Sequence, residues 1–165
     1  MKLLIVRLLY WLKGLFEDPN ELLKALGVEE GDRVLEIGCA IGYHTMPLAA
    51  IASNGKVYAI EIWEEGLAHL KRTVESAKNI DVICQSAEAV DLINSSLDKI
   101  VCLDTLHDIP DREMAVKRWM AYLKEGGRLL YRDSVIPAEK IPACSEGKLL
   151  PMGTTKGVHI FTRQQ

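Results

Sequence analysis

Two kinds of hydrophobic pattern alternate along the chain. Short, mostly apolar runs bounded by Gly, Asn or Asp predict buried strands, and stretches with apolar residues three and four positions apart predict helices. The predicted strands cover residues 33–37, 56–62, 80–84, 98–103, 128–132, 148–152 and 158–162. The first predicted helix covers residues 20–26, and the second follows the 38–42 loop and runs through Ile51. A third helix has Leu67, Leu70, Val74 and Ala77 on one face. A fourth begins at Pro110, with Asp108 as its cap.

Strands that alternate with helices are typical of a mostly parallel sheet covered by helices on both faces. The last two predicted strands are joined by a turn around Gly157 that is too short for a crossover helix, so they must pair antiparallel at the edge of the sheet. The sequence therefore predicts an α/β fold with a doubly wound, mostly parallel seven-stranded sheet in three α-β-α layers.

The N-terminal segment needs a separate interpretation. Residues 3–12 are apolar or aromatic except for Arg7, but the run is shorter than the roughly 18 residues of a membrane span. Arg7 and Lys13 also argue against a signal peptide. We expect one amphipathic helix that packs on the domain or on a second subunit, or lies at a membrane interface with Trp11 at headgroup depth. The expected divisions are this helix, residues 1–19, and one domain, residues 20–165.

Composition limits the classes of function. Twenty basic and 23 acidic residues among 165 give a net charge of −3, which argues against nucleic acid as a partner. None of the four cysteines forms a Cys-x-x-Cys pair, so we expect reduced, buried thiols and no metal site. These features predict a cytoplasmic protein, and residues 1–16 leave open peripheral contact with a membrane.

Polar or small residues follow four predicted strands, at the edge of the sheet where ligands of such folds bind. The small residues of the 36–42 segment let the backbone approach a ligand closely. Glu61 is a carboxylate that can accept both hydroxyls of a ribose. Residues 86–88 are placed to meet the edge of a purine, and residues 103–108 supply polar groups where a reacting substrate would lie.

The combined pattern resembles the class I S-adenosylmethionine-dependent methyltransferases over about residues 20–132. Their first motif is similar to Val-Leu-Glu-Ile-Gly-Cys at 34–39, and their second is similar to Tyr-Ala-Ile-Glu at 58–61. Their fourth motif resembles the 98–111 segment, which contains a Leu-His pair and a Pro. Their turn into strand five resembles Leu-Lys-Glu-Gly-Gly at 123–127. The resemblance implies a Rossmann-like fold and S-adenosylmethionine as cofactor, with S-adenosylhomocysteine as product.

The resemblance also implies roles for individual residues. Glu36 would reach the cofactor ammonium through water, Glu61 would hold the ribose hydroxyls, and Ile62 would pack on the adenine. Two departures from the family pattern are Ala40, in place of the usual middle glycine, and Ser86, where an aspartate often accepts from the adenine amino group. The implied cofactor-binding residues are Glu36, Gly38, Cys39, Ala40, Gly42, Glu61, Ile62, Ser86, Ala87, Cys102 and Leu103.

Methyl transfer from a sulfonium mainly requires an aligned, unprotonated nucleophile. His107 and Asp104 are the candidate catalytic residues, because they follow strand four at the expected site, and Tyr43 and His44 are further candidates. The alternatives are a structural histidine at position 107 and a solvated loop carboxylate at position 104.

We expect in-line methyl transfer to a small or lipid-like acceptor such as a quinone. The alternatives are a non-catalytic cofactor- or partner-binding module and a nicotinamide-dependent oxidoreductase. Residues 134–147 are too short and proline-interrupted to form a lid. Either the first helix or a second subunit in a homodimer therefore covers the site, or the substrate is large or membrane-associated.

Overall fold

A computed structural model describes residues 2–164 and contains one seven-stranded sheet. The strands are β1 (Arg33–Ile37), β2 (Lys56–Glu61), β3 (Ile80–Cys84), β4 (Leu97–Leu103), β5 (Leu123–Arg132), β6 (Leu149–Thr155) and β7 (Val158–Arg163). The helices are α1 (Lys2–Gly14), α2 (Pro19–Ala25), α3 (Thr45–Ile51), α4 (Glu64–Thr73), α5 (Arg112–Tyr122) and α6 (Ile141–Cys144), with 3₁₀ turns at Leu106–Asp108 and Ala138–Lys140.

The sheet order is β3-β2-β1-β4-β5-β7-β6, and the first five strands in this order are parallel. β7 lies antiparallel between β5 and β6, so β6 forms the edge. The predicted α/β class, the doubly wound parallel sheet and the antiparallel close are confirmed. The strand order changes direction between β1 and β4, so the connections that follow these two strands leave toward opposite faces of the sheet. Sheets of this type bind ligands in the crevice at that point, outside the carboxyl ends of the strands.

Alternating side chains of the central strands divide the core into two layers. Leu35 and Ile37 face one layer, which contains Trp119 and other residues of α5. Val34 faces the opposite layer, formed with apolar residues of α2, α3 and α4 such as Leu48. Burial of this apolar surface on both sides of the sheet is the main stabilising term of the fold.

Several predicted boundaries are wrong. α5 begins at Arg112, because the side chain of Asp111, and not of Asp108, accepts the Met114 N–H at 2.9 Å and caps the helix. Asp108 instead ends a 3₁₀ turn. β5 begins at Leu123, before the glycine pair, because Leu123 already pairs with Leu97 of β4 across a register irregularity.

The cysteines differ from one another in burial. Cys39 and Cys102 are buried, as predicted for small apolar side chains, but Cys84 is exposed and Cys144 is half-buried. Cys84 is the last residue of β3, which is the edge strand on the parallel side of the sheet. The expectation of four buried thiols is therefore wrong for Cys84. Within residues 2–164, no helix has the length and apolar character that crossing a bilayer requires.

A buried ion pair fixes the start of the sheet. Lys99 Nζ lies 2.5 Å from Asp32 Oδ2, and both side chains are nearly inaccessible to solvent. The same oxygen accepts the Glu29 N–H at 2.7 Å. The pair therefore joins β4 to the turn that precedes β1.

We predict that Lys99→Met lowers the free energy of unfolding by about 3–5 kcal/mol, because it leaves the Asp32 carboxylate buried without a cation. The matched control is Lys124→Met, which removes a partly exposed pair with Asp98 and should cost less than about 1 kcal/mol. Urea unfolding measures both values. Equal losses in the two variants would contradict the assignment.

Candidate functional site

A cavity of about 630 Å³ opens at the carboxyl ends of the parallel strands. Its walls come from the loop after β1, the end of β2, the segment after β3, the loop after β4 and the inner face of α1. Binding sites for small molecules usually occupy roughly 300–1,000 Å³. The cavity is therefore large enough for a nucleoside-sized ligand at the position that the sheet topology predicts.

The Glu61 carboxylate joins two walls of this cavity. One oxygen, Oε1, accepts the N–H groups of Ile62 at 2.8 Å and Trp63 at 3.1 Å. The other, Oε2, accepts the Ala40 N–H at 3.0 Å. Because a carboxylate oxygen can accept two hydrogen bonds, Oε2 can take a further donor from a ligand in the cavity.

The loop after β1 has a left-handed backbone at three positions. Gly38, Ala40 and Gly42 have φ values of +73°, +48° and +94°. A Cβ at Gly38 would lie 2.4 Å from the Thr105 side chain, and one at Gly42 would lie 2.4 Å from Leu70. Gly42 is thus required by packing on α4, while Ala40 holds a conformation that is costly for a residue with a Cβ.

Helix α5 fixes the segment that follows β3. The Trp119 indole N–H donates to the Ala87 carbonyl at 2.9 Å, and the Tyr122 hydroxyl donates to the Val90 carbonyl at 2.6 Å. Both anchors are buried aromatic residues. They hold Ser86 and Ala87 in the cavity wall, beside the exposed side chain of Ile62.

Glu36 places a buried carboxyl group at the floor of the cavity. Its Oε2 accepts the Thr45 hydroxyl at 2.6 Å. Burial, reinforced by the nearby Glu61 charge and opposed by the Thr45 hydrogen bond, raises the pKa of Glu36 to about 7. Burial likewise raises the pKa of the neighbouring Cys39 thiol, so this cysteine is not a nucleophile near neutral pH.

Helix α1 covers the cavity with one face. The Tyr10 ring stacks on Tyr43 with centroids 4.9 Å apart and planes inclined by 8°. Lys2 Nζ lies 4.6 Å from the centre of the Trp63 ring. Lys2, Tyr10 and Lys13 all line the cavity. Burial, with the charges of Glu36 and Glu61, raises the pKa of Tyr10 to about 12, so its hydroxyl remains protonated.

A cluster of four charges, Lys13, Glu17, Asp104 and Arg132, holds the end of α1 against the sheet. Arg132 binds Glu17 through two hydrogen bonds of 2.5 and 3.1 Å. Asp104 Oδ2 lies 3.3 Å from Lys13 Nζ and 3.4 Å from Arg132 Nη2. The Tyr43 hydroxyl also donates to the Glu17 carbonyl at 2.7 Å. We refer to these four charged residues as the latch.

His44 lies beside the latch and lines the cavity. Its Nε2 atom is buried and has no hydrogen-bond partner within residues 2–164. Burial and the nearby Lys13 charge lower its pKa to about 4, so the ring is neutral at pH 7. A buried polar atom without a partner is unusual and is a natural contact for a ligand.

His107 lies in the 3₁₀ turn that follows β4. His107 does not line the cavity. The ring Nδ1 of His107 lies 3.0 Å from Asp133 Oδ2, and the same oxygen accepts the backbone N–H of His107 at 3.1 Å. The Asp133 side chain is fully buried, and despite the effect of burial, hydrogen bonds with Ile136, Val135 and His107 hold its pKa below the usual range. The catalytic role of His107 stays a prediction, and its contacts with Asp133 favour the structural alternative.

Most predicted site residues converge on one cavity. Gly42 and Cys102 do not line it, because Gly42 packs on Leu70 and Cys102 is buried within β4. Their roles toward a ligand remain predictions. The predicted site residues that line the cavity are Glu36, Gly38, Cys39, Ala40, Glu61, Ile62, Ser86, Ala87, Leu103 and the candidate catalytic Asp104.

The sequence interpretation missed Tyr10, Lys13, Glu17, Arg132 and Asp133 as residues of this region. A spacing signal existed for α1, because Val6, Tyr10, Lys13 and Glu17 recur at three or four positions and face inward. No local pattern connects Arg132 with Glu17, which are far apart in the chain and meet only through the fold.

Comparisons with known proteins agree with this geometry. A family model described as a methyltransferase domain matches residues 35–131. A demethylmenaquinone methyltransferase from Staphylococcus aureus is 27% identical over 119 residues, which cover 72% of this chain and 49% of that protein. The chain therefore spans about half the length of the curated relatives it matches.

Solved structures share the fold. A SAM-dependent methyltransferase from Aquifex aeolicus has a TM-score of 0.73 at 22% identity, with 88% of each chain covered. The N-methyltransferase NodS from Bradyrhizobium japonicum, in complex with S-adenosylhomocysteine, has a TM-score of 0.72 at 19% identity, with 89% of this chain and 86% of that chain covered.

We predict that Glu36 makes the protein less stable as the pH rises from about 5 to 7.5. The native state keeps a proton on Glu36 up to a pKa of about 7, whereas the unfolded state loses it near 4.5. Since the native state binds more protons in this window, its stabilisation is lost as pH rises. The group contributes up to about 3 kcal/mol, at roughly 1.4 kcal/mol per pKa unit.

Glu36→Gln, which keeps the shape of the side chain and an acceptor for Thr45, should lack this component. Urea unfolding of both proteins at the two pH values gives the difference. The same pH dependence in the variant would show that Glu36 is already ionised at pH 5.

Proposed function

The chain belongs to the methyltransferase domain family, and we propose that it transfers the methyl group of S-adenosylmethionine to a lipid-like acceptor. The single observation that carries this proposal is the convergence of Glu61, the Gly38 loop and the Ser86–Ala87 segment on one cavity of about 630 Å³. These three groups come from the ends of different strands, and a nucleoside with an amino-acid tail would contact all of them at once.

The residues of the cavity fit the cofactor. Glu61 Oε2 has capacity for a ribose hydroxyl beyond the Ala40 N–H it already accepts. The exposed Ile62 side chain offers an apolar surface for the face of a purine, and Ala87 lines the same cavity. The Glu36 carboxyl, which also lines the cavity, can bind the ammonium group of the methionine moiety, directly or through water.

When bound, the cofactor supplies a methyl group already activated by the positive sulfur. The chain therefore has to exclude water, orient the acceptor and accept or relay its proton. α1 excludes water by covering the cavity with Tyr10 and Lys13. We assign the orientation of the acceptor to His44, because it lines the cavity and its neutral, unpartnered Nε2 can donate or accept one hydrogen bond according to tautomer.

The candidate catalytic residues are assigned different roles in this proposal. Asp104 lines the cavity, but its carboxylate pairs with Lys13 and Arg132, which supports a role in holding α1 closed. His107 positions the loop after β4 through Asp133. The proposed contact with the methyl acceptor therefore belongs to His44, with Tyr43 as its aromatic neighbour at 4.8 Å between ring centroids.

The acceptor is proposed to be an aromatic, quinone-like molecule. Tyr10 and Tyr43 form a stacked pair next to His44, and such surfaces favour flat aromatic groups. The printed name of the Staphylococcus aureus relative, demethylmenaquinone methyltransferase, supports the same class. The test incubates the full chain with methyl-labelled S-adenosylmethionine and demethylmenaquinone, in oxidised and reduced form, and measures label in the extracted quinone.

We predict that Glu61→Gln weakens S-adenosylhomocysteine binding roughly 10- to 100-fold, because a hydrogen bond to a charged group contributes about 1.5–3 kcal/mol. Calorimetric titration measures the affinity. The control is Glu64→Gln, an exposed glutamate at the start of α4, which should bind as the wild type does.

Thermal unfolding without ligand checks that the Glu61 variant remains folded. Wild-type affinity in a folded Glu61→Gln protein would contradict the proposed ribose contact. If the wild-type chain binds S-adenosylhomocysteine but transfers no methyl group to any acceptor, a non-catalytic cofactor-binding module is favoured instead.

We predict that His44→Leu lowers methyl transfer to the quinone roughly 100-fold through loss of acceptor orientation. S-adenosylhomocysteine affinity should change by less than about threefold, because the proposal assigns His44 to the acceptor and not to the cofactor. Stability should not fall, since the variant removes a buried polar atom that has no partner. His69→Leu, on α4, is the control. Unchanged transfer in His44→Leu would refute the assignment.

A further inference from the structure

The outer face of α1 carries an apolar surface that no part of the described chain covers. Helix α1 has no buried residue, although nine of the thirteen residues from Lys2 to Gly14 are apolar or aromatic. Side chains that are 41–90% exposed extend along the helix and the two residues after it; they are Leu4, Ile5, Leu8, Leu9, Trp11, Leu12, Leu15 and Phe16. Contiguous exposed apolar surface of this kind marks an interaction site. We refer to these eight residues as the outer face of α1.

The outer face is wide and uninterrupted. At about 100° per residue, with residues 15 and 16 placed on the same wheel, the eight side chains occupy an arc of about 160° that contains no polar residue. Lys2 and Lys13 border the arc on one side, and Arg7 borders it on the other. A coiled-coil seam is narrower than this, whereas an interfacial helix has a broad apolar face with basic residues along its edges.

The charge of the segment has one sign. Residues 2–16 contain Lys2, Arg7 and Lys13 and no acidic residue, although the whole chain is net acidic at −3. Two copies of the chain packed face to face would bring these like charges together at the rim of the interface. Lys13 pairs with Asp104 in the latch and Lys2 lies over the Trp63 ring, so Arg7 is the basic residue of this rim that an anionic bilayer surface can attract most directly.

We propose that α1 docks on the surface of an anionic lipid bilayer, with its axis in the plane of the membrane and its outer face in the acyl boundary. Thirteen residues of helix extend only about 20 Å, which is too short to span the hydrocarbon region. Trp11 lies at the edge of the arc next to Arg7, where an indole ring would sit at headgroup depth.

Docking places the membrane directly above the cavity. The opposite face of α1 contributes Tyr10 and Lys13 to the cavity wall, so one helix separates the lipid from the site. A lipid-like acceptor can therefore pass from the membrane to His44 around α1, without crossing water. This consequence rests on the proposed function, whereas the docking itself depends only on the outer face and its charges.

The experiment is flotation of the full chain with vesicles of phosphatidylcholine alone or with 30% phosphatidylglycerol. We expect the wild-type chain to float with the anionic vesicles, less with neutral ones, and less again in 0.5 M NaCl. Leu8→Glu with Leu12→Glu should reduce binding to anionic vesicles by roughly tenfold or more, because it places two charges in the acyl boundary.

Two controls keep the result interpretable. Ile93→Glu changes an exposed apolar residue that lies outside α1 and should bind vesicles as the wild type does. The Leu8→Glu/Leu12→Glu protein should retain wild-type affinity for S-adenosylhomocysteine, because neither residue lines the cavity. A wild-type chain that binds anionic vesicles but not S-adenosylhomocysteine would contradict the proposed function and leave the docking proposal intact.

Either of two results would overturn the docking proposal. One is a wild-type chain that remains with the unbound protein in the presence of anionic vesicles. The other is analytical ultracentrifugation that finds a wild-type dimer and a monomeric Leu8→Glu/Leu12→Glu variant, since a second copy would then cover the outer face of α1.

Discussion

The carboxylate of Glu61 is the group on which the geometry of the cavity depends. It accepts N–H groups from Ile62 and Trp63 at the end of β2 and from Ala40 in the loop after β1. Two loops from adjacent parallel strands are thereby held in one relative position, and the hydrogen bond at Ala40 stabilises a residue with left-handed backbone geometry. This part of the cavity wall is therefore ordered by the same side chain that is proposed to hold the ribose.

Helix α1 gives this short chain a cover that residues 134–147 cannot provide. Its inner face contributes to the cavity wall, and the latch holds its end through charges from α1, β5 and the loop after β4. The outer face of α1, on the side away from the cavity, is apolar. One amphipathic helix thus contributes both a wall of the cavity and an exposed apolar surface.

Local patterns were sufficient to predict the parallel sheet, because its strands are apolar runs bounded by turn residues. The bounds of β1 were predicted correctly, and Glu61 and the Gly38 loop were located, since strand ends meet at one edge of such a sheet. The start of α5 was missed because Asp108 and Asp111 are both good caps, and only the three-dimensional path of the chain selects Asp111. The His107–Asp133 contact could not be predicted, because its partners lie on separate segments.

Glu61 and the loop after β1 are proposed to bind S-adenosylmethionine within one cavity. A crystal structure of the full chain with S-adenosylhomocysteine would test this binding mode. We expect a ribose hydroxyl within hydrogen-bond distance of Glu61 Oε2, the purine between Ile62 and Ala87, and the amino-acid tail toward Glu36. A nucleoside bound elsewhere, with the Glu61 carboxylate contacting only its three backbone partners, would contradict it.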